Sequence, residues 1–161
     1  MKVMGIDPGS QVTGWGLVHG SGNRFQSAGA GEIRAPHNEE LIDRLARMHR
    51  EVVRLLATEC PDAVALETPF FARSVHATLV LGQVRGVLLL AIRDSGIQLF
   101  EYAPREVKSS ITGRGGATKE QVQFMVVRLL GLKADTTLDA SDALAVALCH
   151  HHRARRPVLS T

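Results

Sequence analysis

The chain opens with Val3-Met4-Gly5-Ile6-Asp7-Pro8-Gly9-Ser10 and continues as Val12-Thr13-Gly14-Trp15-Gly16-Leu17-Val18. The apolar run before Asp7 predicts a strand that ends in a carboxylate, and the Pro-Gly pair predicts a turn into a return strand. Glycines in the return strand would leave open space beside that carboxylate. The stretch therefore predicts a β-hairpin that presents Asp7 at the end of a strand.

Three further carboxylates stand where other strands or helices are predicted to end or begin. The apolar run Ala63–Leu66 leads into Glu67, and Asp139 and Asp142 are three residues apart at the start of a helical pattern. Residues at i and i+3 lie on the same face of a helix. Mg²⁺ prefers hard oxygen ligands, and two such ions can flank a scissile phosphate. The pattern indicates a metal-dependent phosphoryl-transfer site, with Asp7 on the central strand as the bridging ligand.

Structural roles compete with this interpretation at two of the four positions. Asp7 before a Pro-Gly pair is typical of a turn, and Asp139 could complete a capping box with Thr136. Neither role suits Glu67, because Glu is a poor turn former, or Asp142, which lies too far into the helix to cap it. The residues after Asp142 are apolar, which predicts a partly desolvated carboxylate. A shared catalytic role accounts for all four positions.

The composition favours a polyanionic partner and a reducing compartment. The 161 residues carry a net charge of +3, and basic surface around an acidic pocket suits a nucleic-acid substrate. Cys60 and Cys149 are too few for a disulfide framework or a zinc site. No signal peptide is recognised, and the apolar run Gly86–Ile92 is too short to span a bilayer. We expect one domain over residues 1–156, a tail at 157–161, and a cytoplasmic location.

Hydrophobic periodicity predicts five strands, followed or separated by four helices. The strands are predicted at Lys2–Ile6, Val12–His19, Arg24–Arg34, Ala63–Glu67 and Ile97–Tyr102. The first three are joined by short turns, the second of them at Gly20–Asn23, and should be antiparallel. The fourth follows a helix and should be parallel to the first, which places Asp7 and Glu67 at the same edge of the sheet.

The four helices are predicted at Glu39–Glu59, Val75–Asp94, from the capping box at Thr118 to just before Gly131, and Leu138–His152. The helix over Val75–Asp94 is apolar almost all round, which indicates burial on more than one face, inside the domain or against another subunit. Its Gly82 and Gly86 would allow close packing on the domain's own sheet or on a partner helix. Their spacing does not decide between the two.

Several other residues are typical of solvated surface as well as of nucleic-acid contacts. Taken alone, Lys108 and Lys119 would be exposed charges, and the run His150–His152 would be a helix C-terminus favoured by the helix dipole. Phe70 and Phe71 could be a buried plug under a loop. In a chain that is 4% aromatic, two phenylalanines directly after a catalytic strand also suit stacking on bases.

The chain as a whole resembles the RuvC family of bacterial crossover junction endodeoxyribonucleases, the Holliday-junction resolvases. The motifs that carry the resemblance run in family order over nearly the whole chain: Gly5–Ser10 with Thr13–Gly16, Glu67 before Phe70, Leu81–Val87, Tyr102–Lys108, and Asp139–Ala145. The resemblance implies the α/β class and a ribonuclease-H-like mixed sheet. Three antiparallel strands plus parallel strands should be flanked by helices.

The resemblance also implies roles for individual residues. Asp7, Glu67, Asp139 and Asp142 match the catalytic, metal-binding carboxylates, and some family members carry His where this chain has Asp142. Lys119 is a candidate for stabilising charge on the phosphate. The candidate DNA-binding residues are Phe70, which matches the aromatic that reaches into the junction, and Phe71, Arg73, Lys108, Arg114 and Lys119.

For its cofactor and partners, the resemblance implies two Mg²⁺ ions per active site, with Mn²⁺ as a substitute, a homodimer, and cooperation with the RuvA–RuvB branch-migration machinery. The expected products are paired symmetric nicks with 5′-phosphate and 3′-hydroxyl ends, in homologous recombination and DNA repair.

Three alternatives fit part of the sequence. The opening motif also resembles the phosphate-binding hairpin of actin-like kinases, but those proteins need two lobes, which 161 residues do not supply. A related ribonuclease-H-like nuclease acting on RNA hybrids would be separated by substrate competition. A non-catalytic junction-binding module would not need a complete carboxylate set.

Overall fold

A five-stranded sheet forms the centre of the computed structural model, which describes residues 1–21, 24–36, 38–68, 74–132 and 136–154. The strands are β1 (Lys2–Asp7), β2 (Val12–Ser21), β3 (Arg24–Arg34), β4 (Ala63–Glu67) and β5 (Gln98–Tyr102). The helices are α1 (Leu41–Glu59), α2 (Val75–Asp94), α3 (Pro104–Thr112), α4 (Lys119–Leu130) and α5 (Leu138–Ala154). The hairpin residues Gly22 and Asn23, and the tail at 157–161, lie outside the described residues.

The sheet is mixed and has the order β3-β2-β1-β4-β5. β1 pairs antiparallel with β2, and β2 pairs antiparallel with β3, whereas β4 pairs parallel with both β1 and β5. This confirms the predicted sheet of three antiparallel strands extended by parallel ones. Helices α1 and α2 cover one face, and α5, flanked by α3 and α4, covers the other.

Alternate residues of β1 and β4 face the two layers, as the period of two in a strand requires. Met4, Ile6, Val64 and Leu66 pack against the buried faces of α1 and α2. Val3 and Ala65 belong to the core formed with α5. The strands are therefore buried on both faces, which explains why they appear in the sequence as short, continuous apolar runs.

Glycines on β1 and β2 allow α5 to lie directly against the sheet. A Cβ placed on Gly5 would overlap the backbone oxygen of Ala143, and one on Gly14 would overlap that of Asp139. A Cβ on Gly20 would come within 2.7 Å of the His151 ring. The space that the sequence predicted beside Asp7 is thus filled by α5.

Helix α2 differs from its prediction. One face is buried, through residues such as Val84 and Leu88, while Leu79 is 63% exposed and Leu90 is 55% exposed. Nothing lies within 4 Å of a Cβ built on Gly82 or Gly86, so neither glycine packs on the domain's own sheet. Burial of a second face inside the domain is therefore wrong, and its burial against another subunit stays a prediction. By length and apolar composition alone, α2 is the one described helix that could cross a membrane, and the core helix of a soluble protein meets the same criterion.

Three local features differ from the sequence predictions. Helix α3 was not predicted, because its two buried residues, Val107 and Ile111, form too short a pattern. The cap of α5 is Thr137, whose hydroxyl accepts from the Ala140 amide at 3.4 Å, so the capping box assigned to Thr136 is wrong. The histidine run is not a solvated helix end: His150 and His151 are buried.

The buried histidines tie the end of α5 to its neighbours. His150 Nδ1 lies 2.8 Å from the Tyr102 hydroxyl, and His151 Nε2 lies 3.0 Å from the Val18 oxygen. Burial lowers the pKa of His150, which favours a neutral imidazole over a cation at the helix dipole. Hydrogen bonding, and not charge, therefore accounts for the position of His150.

Candidate active site

Asp7 and Glu67 stand side by side at the ends of two neighbouring parallel strands. Ile6 pairs with Leu66, so the two acidic residues that follow them are adjacent at one edge of the sheet. Both side chains belong to the face that α5 covers, since they alternate with Ile6 and Leu66 on the opposite face. The two carboxyl groups act on each other electrostatically, since the charge of Glu67 raises the pKa of Asp7. The predicted common edge is confirmed.

The environment makes these two carboxyls hard to ionise. Burial, followed by repulsion from Glu67, Asp142 and Asp139, raises the pKa of Asp7 to about 8. Burial and then repulsion from Asp142 raise the pKa of Glu67 to about 7. Perturbed pKa values of this size are typical of functional sites.

The start of α5 adds the other two carboxylates. Asp139 is in the first turn of the helix, and its pKa is raised by burial and then by the charge of Glu32. Asp142 lies one turn further along the same face and acts on both Asp7 and Glu67. Gly14 of β2 pairs with Asp7, and the backbone of α5 packs directly against this glycine. The N-terminal turn of α5 therefore lies at the ends of β1 and β4.

Two lysines complete the site. Lys119, the first residue of α4, places its Nζ 2.7 Å from Asp142 Oδ2. Lys119 and Lys108 both lower the pKa of Glu67. A cavity of about 360 Å³ is lined by both lysines together with Glu67, Asp142 and Arg105. The cavity is lined by two carboxylates and three basic side chains among apolar residues, and a site for a phosphate and metal ions needs both kinds of charge.

The structure brings together six of the residues singled out in the sequence, namely Asp7, Glu67, Lys108, Lys119, Asp139 and Asp142. Arg114 lies outside this cavity and lines a neighbouring groove with Thr112 and Phe124. Phe70, Phe71 and Arg73 fall outside the described residues.

The donor set fits a hard divalent cation. The raised pKa values of Asp7 and Glu67 arise from crowded, desolvated carboxyl groups, and a bound cation would allow them to ionise together. Within the described ranges, no group of three or more Asp, Glu, His or Cys side chains is arranged so that it could hold a metal ion. Asp142 is instead turned to Lys119. The arrangement is thus an open acidic site in which one of the carboxylates, that of Asp142, forms an ion pair with Lys119.

Sequence reasoning missed two arginines. Arg105 lines the cavity from α3, the helix that was not predicted. Arg85 on α2 donates to the backbone oxygen of Glu67 at 2.9 Å. Its signal was present in the sequence, because Arg85 is the one Asp, Glu, Lys or Arg residue between Val75 and Ile92. A lone charge in an otherwise apolar helix predicts a specific buried partner.

Comparisons with known proteins agree with this geometry. The family model described as "Crossover junction endodeoxyribonuclease RuvC" matches residues 3–150. A curated protein of that name from Chlorobium phaeovibrioides is 48% identical over 151 residues, covering 92% of this chain and 80% of the relative. Another from Granulibacter bethesdensis is 45% identical and covers 97% of this chain and 88% of its own.

Solved structures give the same result. A structure described as T. thermophilus RuvC in complex with Holliday junction substrate superposes with a TM-score of 0.90 at 36% identity, over 96% of this chain and 95% of that one. The yeast mitochondrial Holliday junction resolvase Ydc2, at 12% identity and a TM-score of 0.67, shares the fold. The chain therefore belongs to the RuvC family of crossover junction endodeoxyribonucleases.

Proposed function

We propose that this chain resolves four-way DNA junctions by metal-dependent hydrolysis of phosphodiester bonds, as paired symmetric nicks. The observation that carries the proposal is the convergence of Asp7, Glu67, Asp139 and Asp142 beside Lys119. Membership of an endodeoxyribonuclease family supports the reaction class. The relative solved with a Holliday junction substrate supports the four-way junction as the substrate.

The proposed cofactor is Mg²⁺, two ions per site, with Mn²⁺ as a substitute, held by the four carboxylates. When bound, two such ions supply an activated water and stabilise the leaving oxygen. The carboxylates of Asp7 and Glu67 are largely desolvated, so their charge acts strongly on a bound cation. Lys119 holds a positive charge beside them, and we assign it the role of neutralising the phosphate in the transition state.

DNA would be held by the basic residues that line the cavity. Lys108 and Lys119 line the cavity itself, and Arg114 lines a second groove with Thr112. We propose that these residues contact phosphates, with Phe70, Phe71 and Arg73 as further DNA contacts. A plot of the logarithm of the binding constant against the logarithm of the salt concentration falls with a slope of about −0.9 for each phosphate contact. Lys108→Ala and Arg114→Ala should each lower that slope by about one.

Four wider properties are proposed on the same basis. The exposed apolar residues of α2, Leu79 and Leu90 among them, favour a homodimer, in which two active sites would make the paired nicks. Cooperation with RuvA–RuvB follows from the family resemblance, and action on DNA favours a cytoplasmic location. The five described strands form one sheet that the helices cover on both faces, which supports one domain over residues 1–156 with a tail at 157–161.

The decisive experiment incubates the protein with a synthetic four-way junction, a linear duplex and an RNA–DNA hybrid, each with and without Mg²⁺. We expect cleavage of the junction alone, only with metal, leaving nicks that a ligase can seal. Asp7→Asn should bind the junction and not cut it. The matched control, Asp94→Asn, changes an exposed carboxylate at the end of α2 and should cut normally. Equal cutting by Asp7→Asn, or preference for the hybrid, would overturn the proposal.

A further inference from the structure

A partly buried arginine lies beneath the active site on the opposite face of the sheet. The Arg85 side chain is 13% exposed, although α2 is otherwise apolar. Its Nη1 donates to the backbone oxygen of Glu67 at 2.9 Å, and its Nη2 forms an ion pair with Glu101 of β5. One guanidinium therefore joins α2 to the ends of two neighbouring strands.

The contact is made at the point where β4 ends. Beyond Glu67, the Thr68 amide donates to the Tyr102 oxygen at 2.9 Å, which continues the pairing with β5 by one residue. The Glu67 oxygen is bonded from below the sheet by Arg85, while its carboxyl is on the α5 face. Two contacts therefore fix the backbone at Glu67: the Arg85 hydrogen bond to its oxygen, and the strand pairing of the next residue, Thr68.

We propose that Arg85 is a positioning residue for Glu67, which fixes the end of β4 so that the carboxylate is held where the metal binds. This inference rests on the proposed metal-dependent function. Arg85 touches only the backbone of Glu67, and the charges that act on the Glu67 carboxyl are those of Asp142, Lys119 and Lys108. Arg85 consequently acts on the position of the carboxylate and not on its ionisation.

The geometry explains why an arginine is used here. A planar guanidinium can donate to a carbonyl and to a carboxylate at the same time, whereas an ammonium is a point charge without that fork. Partners that orient metal ligands from outside the ligand shell alter metal affinity or activity by about 10–100-fold when they are removed. Arg85 is also carried by α2, the helix with the exposed apolar face, so it connects that face physically to the active site.

The test compares Arg85→Gln and Arg85→Lys with Arg54→Gln, which removes an exposed arginine paired with Glu51 on α1. Mn²⁺ binding to the DNA-free protein is measured by titration calorimetry, and the Mg²⁺ concentration for half-maximal junction cleavage is measured separately. We expect Arg85→Gln to weaken both by about tenfold. Arg85→Lys should recover part of the loss, Arg54→Gln should match wild type, and the pH at which activity is half-maximal should not move.

Two outcomes would overturn the inference. If Arg85→Gln binds Mn²⁺ as tightly as wild type and is only less stable, Arg85 supports the fold alone. If Arg85→Gln does not fold, the same titration is made on Arg85→Lys, which retains the buried charge, and on Glu101→Gln, which releases one side of the fork. Wild-type metal binding by both of these would refute the role. The proposed function fails separately, when wild type itself neither binds Mn²⁺ nor cleaves.

Discussion

Lys119 and Asp142 form an ion pair at 2.7 Å although they are 23 residues apart in the chain. The hydrogen bond to Asp142 is the main cause that raises the pKa of Lys119, so the lysine is protonated at neutral pH. The ammonium thus occupies a carboxylate that is also a candidate metal ligand. Lys119 is both a competitor of the metal for Asp142 and a source of positive charge for the phosphate.

We therefore expect Lys119→Ala to separate metal binding from cleavage. Without the ammonium, Asp142 is free and the site is more negative, so Mn²⁺ should bind at least as tightly as in wild type. Junction cleavage should fall about 100-fold or more, because a charge that stabilises the transition state is lost. Calorimetry and single-turnover cleavage measure the two effects. Weaker Mn²⁺ binding in Lys119→Ala would show that the lysine supports the metal site instead of competing for it.

The raised pKa values predict how the metal-free protein responds to pH. The pKa of Asp7 rises from 3.8 to about 8, and that of Glu67 from 4.5 to about 7. Between the ordinary and the raised pKa of each group, the folded state therefore binds more protons than the unfolded state. The free energy of unfolding should be highest below about pH 4 as far as these groups contribute, and should fall as the pH rises through about 7 and about 8.

Urea unfolding in EDTA across this pH range measures that slope. Asp7→Asn should flatten it, because the amide does not titrate, whereas Asp94→Asn should retain it. Millimolar Mg²⁺ should stabilise wild type most at the alkaline end, where the carboxyls are ionised. A slope unchanged in Asp7→Asn would mean that Asp7 is not the group responsible.

The close packing of α5 on the sheet can be tested by substituting two glycines, one that contacts α5 and one that contacts nothing. In Gly14→Ala, the added methyl would collide with the backbone of Asp139, so we expect a loss of about 1–3 kcal/mol in stability and a severe loss of cleavage. In Gly116→Ala nothing lies within 4 Å of the added carbon, and an alanine at this exposed loop position should leave stability unchanged or raise it by about 0.4–1 kcal/mol. Thermal unfolding of both variants checks the contrast, and a stable, active Gly14→Ala would contradict the close packing.

The exposed face of α2 provides a test of dimerisation. Leu79 is 63% exposed, so Leu79→Glu should give a folded monomer at micromolar concentration if that face is the interface. Val84 is 1% exposed, and Val84→Glu should unfold the chain instead. Ile42→Glu changes an equally exposed residue of α1, at 67%, and should remain dimeric. Sedimentation equilibrium measures all three, and a monomeric wild type would refute the homodimer.

Phe70 carries a prediction that stands on the sequence alone. It follows Pro69, which stiffens the turn after Glu67, and an aromatic face can gain about 1–3 kcal/mol per stacked base. Phe70→Ala should therefore reduce junction cleavage far more than stability, while Phe70→Trp should retain much of the activity. Ile42→Ala, at a residue that is 67% exposed on α1, is the control. A stability loss of about 3–5 kcal/mol in Phe70→Ala would instead make Phe70 a core residue.

The sequence by itself determined the strands, the antiparallel arrangement of the first three, the parallel direction of the fourth, and the meeting of Asp7 with Glu67. Each of these follows from short-range pattern: apolar runs of the right length, turn residues between them, and an acidic residue at the end of a run. The spacing of Asp139 and Asp142 on one helix face added two more carboxylates, and the family motifs added Lys119 to the same site. Helix α3 escaped because Val107 and Ile111 alone do not make a detectable period.

Only the tertiary structure decided which groups touch. Three contacts join residues that are far apart in the chain: the ion pair of Lys119 with Asp142, the hydrogen bond from Arg85 to Glu67, and the packing of α5 on Gly5 and Gly14. Such contacts depend on how helices and sheet pack, and no local period encodes them. The raised pKa of Asp7 has the same origin, since burial and the charges of three other segments exist only after the chain has folded.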